Sequence, residues 1–87
     1  MTWLREQTNK RNKNVKFFVH SENLSAQSLR AIIWEKCREA KIRPEILTSP
    51  ILDKDTGDFL EVVTIEITSE DGKADQAKQI AKEVIGI

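Results

Sequence analysis

The chain has 87 residues, 39% of them hydrophobic and 32% charged, which is the make-up of one small globular domain with a thin core. Fourteen Lys/Arg balance fourteen Asp/Glu. Residues 1–43, however, hold ten basic and four acidic side chains, a balance of +6, and residues 44–87 hold the reverse, −6. No apolar run approaches the ~20 residues of a membrane span, the start lacks a signal peptide's apolar core, and a lone Cys37 excludes an internal disulfide or a cysteine-based metal centre; the expectation is a cytoplasmic protein with no cofactor and no membrane partner.

Residues 1–13 read as a flexible basic arm, polar and without apolar periodicity from Arg5 onward. Trp3 and Leu4 sit at its tip as candidates to dock on the body or on a partner. A single domain is expected over 14–87. It opens with a strand at 15–20, in which Val15, Phe17 and Val19 share one face and Lys16, Phe18 and His20 the other. Asn23 or Ser25 then caps a helix running to about Lys41. Ala26, Leu29, Ile32, Ile33, Cys37 and Ala40 follow the spacing of one apolar stripe. Cys37 lies on that stripe as a buried thiol, and Trp34 lies off it, flanked by Arg30, Arg38 and Lys41.

Pro44 ends the helical region, and residues 46–52 form a second strand. Pro50 cannot donate a ladder hydrogen bond, so this strand belongs at a sheet edge or bulge. Asp53–Asp58 make a hairpin loop with Gly57 at its positive-φ position. The strand over 59–68 is the longest β-branched run in the chain; Val63, Ile65 and Ile67 alternate with Thr64, Glu66 and Thr68. Ser69 or Asp71 caps a last helix whose apolar side is Ala74, Ala77, Ile80, Ala81, Val84 and Ile85.

The order β-α-β-β-α predicts an α+β two-layer sandwich: a mainly antiparallel three-stranded sheet, order 1-3-2, with both helices on one face and the fourth strand of a ferredoxin-like plait missing or vestigial. No enzyme constellation is present, and His20, the single histidine, has no identifiable acid or nucleophile beside it. Asp53, Asp55 and Asp58 fail as a calcium loop: counting from Asp53, Gly57 falls at position 5 and Thr64 at position 12, where the motif needs an oxygen ligand and a glutamate.

The open sheet face is the first candidate site. Phe18 and His20 would lie there beside Leu60, Val62 and Thr64, a partly apolar surface suited to a protein partner or to a homodimer. The unshielded edge of the first strand favours self-pairing as well. A nucleic-acid surface is the alternative, built from Lys10, Arg11, Lys13, Lys16, Phe18, Arg30, Trp34, Arg38 and Lys41.

Lys16–His20 resembles the first-strand signature of the RNA recognition motif, with Phe18 at its stacking position; Leu29–Lys36 resembles that family's first helix and Asp53–Gly57 the turn before its third strand. The resemblance implies a plait fold and base stacking by Phe18. It departs from the motif at Leu60 and Val62, where outward aromatics belong, and at Asp58, where the motif is basic.

Overall fold

A computed structural model describes residues 1–11 and 13–87, except for the side chain of Asp71. Four strands form, β1 (Trp3–Asn9), β2 (Asn14–His20), β3 (Glu45–Leu52) and β4 (Phe59–Thr68), with helices α1 (Ala26–Glu39) and α2 (Lys73–Ile85). They make one antiparallel sheet in the order β1-β2-β4-β3. This corrects the expected three-stranded sheet of order 1-3-2 with no fourth strand. The extra strand is β1, drawn from the segment read as an arm, and it pairs with β2 from Trp3 opposite His20 to Asn9 opposite Asn14. Asn12 lies outside the described residues.

The physical reason β1 escapes a pattern search is its burial. Of its seven residues only Trp3 and Leu4 are even half-buried. An edge strand at the rim of the helix layer is held by its backbone ladder and leaves little period-two signal in its side chains. Its alternation is real nonetheless. Leu4 reaches the core and Glu6 meets Lys78 of α2 at 3.1 Å on the helix side, while Trp3 and Arg5 stand on the open side.

The central pair behaves as its sequence dictates. Val15, Phe17 and Val19 of β2 and Val63, Ile65 and Ile67 of β4 all lie in the core, opposite one another across the ladder. Each fully buried side chain of this size contributes about 1.5–3 kcal/mol relative to exposure. From the helices, Leu29, Ile33 and Cys37 of α1 and Ala74, Ala77 and Ala81 of α2 close the core. Three alanines let α2 lie close to the sheet. Ile32, expected on the buried stripe, is instead exposed, because the stripe that faces the sheet is only as wide as Leu29, Ile33 and Cys37.

Of the two cap candidates for α1, Ser25 serves, its Oγ accepting from the Ser28 N–H. Ser69 does not cap α2. Its N–H and Oγ both donate to the Lys13 carbonyl, at 2.7 and 3.0 Å, tying the β1–β2 turn to the end of β4. Gly57 holds φ +78°, and its N–H bonds the Asp53 carbonyl at 2.8 Å, so the β3–β4 turn closes as its composition requires.

Candidate functional site

Three features at the surface are built by this fold: the open sheet face, the end of the β3–β4 hairpin, and a groove where α1 meets β3. On the open face, cross-strand register sets Trp3 opposite His20 and Arg5 opposite Phe18. The Trp3 and His20 rings are 5.8 Å apart, and the Arg5 guanidinium lies 4.7 Å from the Trp3 ring centre. Phe18, His20, Leu60 and Thr64 are half-buried there, within reach of a partner. Val62 is fully buried although it faces the same side, so it supports the surface from below. Thr64 is engaged with Ser49 at 3.0 Å. A cleft of about 560 Å³ at one end of this face is lined by Trp3, Arg5, His20, Ile51 and Leu60, with Asp53, Lys54 and Asp55 from the hairpin loop.

That cleft runs into the hairpin end. Thr48, Pro50 and Leu52 lie on the helix side of β3 by alternation, yet all three are exposed, so the hairpin projects past the helices. Leu52 pairs across the strands with Phe59, and they are 55% and 73% exposed. Ile51 and Leu60 form the next pair, on the other side of the ribbon. Phe59 does not figure among the site residues expected from sequence. As the first residue of an apolar strand it passes for core, and only the length of the hairpin relative to the helices puts it in water.

The outer edge of β3 is protected. Arg30 Nε donates to the Ile46 carbonyl at 3.1 Å, which marks Ile46 as a residue whose backbone turns outward. By the period of two, Thr48, Pro50 and Leu52 belong to the same outward set, and Pro50 has no N–H to offer a passing strand. The edge of β2 is covered too, by β1. The edge of β2 that suggested self-pairing is therefore closed, and what the sheet leaves open is its faces and the outer side of β1.

The groove arises from how α1 ends. Ala40 is the C-cap and Lys41 takes the left-handed conformation at φ +62°. The Ile42 N–H reaches back to the Cys37 carbonyl and the Lys41 N–H to that of Arg38, both at 3.0 Å, the paired bonds of a Schellman turn. Ile42 is thereby buried against the core, and Arg43 and Pro44 swing out towards β3. The groove so formed has a volume of about 580 Å³ and is lined by Trp34, Arg38, Lys41, Ile42, Arg43 and Pro44, with Cys37 at its base. Trp34 is 48% exposed, with the Arg38 guanidinium 5.5 Å from its ring centre. Arg30, expected in this cluster, is committed to the β3 edge. Lys10, Arg11 and Lys13 belong to the β1–β2 turn and Lys16 to the open face, so the basic residues expected to act together are spread over three places.

Cys37 is a free thiol at 1% exposure, and burial pushes its pKa up from 9.0 to about 11. A shift of that size cuts the thiolate fraction at neutral pH roughly a hundredfold. A disulfide reagent is therefore expected to label the native protein at least a hundredfold more slowly than the urea-unfolded chain; equal rates would show the base of the groove to be open. The same shift has a stability consequence. Below pH 9.0 both states keep the proton, and between there and about 11 the unfolded chain ionises first, so this contribution is lost as pH rises.

Among the described residues, no three His, Cys, Asp or Glu side chains converge to hold a metal, and no helix is long and apolar enough to cross a membrane. Comparison with protein-family models, with curated proteins and with solved structures found no match, so a functional reading rests on the residues above.

Proposed function

We propose that this chain is a non-catalytic interaction module that binds a protein segment on the open sheet face and along the hairpin end continuous with it. The observation that supports it most is the Leu52–Phe59 pair, two large apolar side chains held in water on a well-closed hairpin. On the opposite, open face of the ribbon lie Ile51, Leu60 and, further along β3, Leu47 at 51% exposure, so the hairpin offers apolar surface on both of its sides. Trp3, Phe18 and His20 add rigid rings that cost little entropy to order.

A nucleic acid on this face has less support. The basic residues a phosphate backbone would need are dispersed, Lys10, Arg11 and Lys13 in the β1–β2 turn and Arg38, Lys41 and Arg43 around Trp34, and at the cleft Arg5 and Lys54 are offset by Asp53 and Asp55. Self-pairing through the β2 edge has lost its motive, because β1 fills that edge.

The test is a random peptide library displayed on phage and panned against the wild-type protein. Peptides with micromolar affinity are expected, and they should lose at least about tenfold on a Leu52→Ser/Phe59→Ser variant. Both side chains are exposed, so an unchanged thermal melt serves as the folding control. Selection of no peptide, or of peptides that bind the variant equally well, would refute the site.

A further inference from the structure

We propose that the chain assembles head to tail, the hairpin tip of one copy seating in the α1–β3 groove of the next. This rests on the hairpin being a binding element and adds the identity of its partner. Tip and groove flank one strand: the groove residues Ile42–Pro44 precede β3 and the loop Asp53–Asp58 follows it. Eight strand residues at ~3.3 Å each separate them by roughly 25 Å. One copy therefore cannot satisfy itself.

The two ends are complementary in both charge and apolar character. The tip carries Asp53, Asp55 and Asp58 against Lys54, next to the exposed Leu52 and Phe59. The groove carries Arg38, Lys41 and Arg43 with no acidic side chain in its lining, next to the exposed face of Trp34 and the ring of Pro44. None of these three cations or three aspartates forms an ion pair with a described residue. The two ends of β3 thus differ in sign, an acidic loop at one and a groove with a basic lining at the other, although Lys41 and Arg43 also border Glu45 and Glu66 and the loop lies beside Arg5.

The choice of occupant follows from what each leaves over. A phosphate polymer would neutralise the groove and leave Leu52 and Phe59 in water. An unrelated apolar partner would cover the hairpin and leave three cations around Trp34. A second copy accounts for both with one contact. Because the two surfaces differ, the contact is heterologous and continues into a ring or an open chain of subunits.

Sedimentation velocity at low salt tests this with two variants that neutralise without reversing charge. The tip variant is Asp55→Asn/Phe59→Ser and the groove variant Trp34→Ser/Arg43→Gln, all four residues being exposed. Wild type is expected to form species beyond the dimer as concentration rises, and to shrink towards monomer as salt screens the pair. Either variant alone should weaken association at least about tenfold. Mixed one to one, they share a single intact tip and a single intact groove, so they should form a dimer and stop. A strictly monomeric wild type overturns the proposal, as does a mixture no more associated than its parts. Salt-sensitive binding of a fluorescent single-stranded oligonucleotide, lost in the groove variant and without any self-assembly, would assign the groove to nucleic acid and overturn it too. If hairpin-selected peptides still bind in either case, only the second-copy assignment falls, and the hairpin remains a protein-binding element.

Discussion

Deleting residues 1–9 is expected to leave a chain that no longer folds as a monomer. The segment resembles a disposable polar tail in sequence, but it supplies β1, seven residues in register with β2. Its removal strips the ladder bonds on that side of β2, at about 1 kcal/mol net apiece, and takes Leu4 off the core. A domain of this size is stable by only about 4–13 kcal/mol at roughly 0.05–0.15 kcal/mol per residue, so the loss is comparable with the whole. It also bares the edge of β2, the strand that carries Phe17 and Val19, to any other chain. Circular dichroism and size-exclusion chromatography should show lost cooperativity or aggregation. A truncated chain that melts as a monomer within a few degrees of the full one would mean that β1 is dispensable.

The second large effect lies one strand inward. Phe17 is 1% exposed and sits opposite Ile65 in the core, so Phe17→Ala should cost about 3–5 kcal/mol, its transfer energy plus the cavity it leaves. For a domain of 60–100 residues that lowers the melting temperature by at least ~12 °C. Phe18 is the internal control. It is the same residue type on the same strand, half-buried on the open face, and Phe18→Ala should cost well under half as much. Denaturant titration of the two variants decides it. Equal losses would place the strand one residue out of register, since a single step exchanges the two faces.

Much of the fold was legible because most elements bury a face. The alternation of Val63, Ile65 and Ile67, the i, i+4, i+8 spacing of Leu29, Ile33 and Cys37, Ser25 before α1 and Gly57 in its turn each state a local requirement that the structure meets. Pro50 announced an edge strand, and β3 is one. Phe18, His20 and Leu60 were legible as a surface by the same alternation. Trp34 stood out as an indole off the apolar stripe, and it is half-exposed in the groove.

Three things were not legible, each for a reason of its own. β1 brings only Trp3 and Leu4 into partial burial, and a strand held mainly by its backbone ladder leaves too short a hydrophobic period to read. Phe59 and Leu52 carry an apolar pattern that promises burial, but pattern is silent on where the helix layer stops. The grouping of cations depends on which turns bring them together. Lys41 and Arg43 join Arg38 beside Trp34 through the Schellman turn, while Arg30, four residues from Trp34 on the same helix, is drawn away by a carbonyl of β3.

By itself, then, the sequence determined the local elements, the two faces of β2 and β4, and the separation of positive from negative charge along the chain, since all of these follow from side-chain chemistry over a few neighbours. Only the tertiary structure decided that four strands close the sheet, that the hairpin overshoots the helices, and that an acidic loop and a basic groove lie at opposite ends of β3. Those outcomes depend on backbone pairing between distant segments and on the relative lengths of packed elements, neither of which has a residue-level signature.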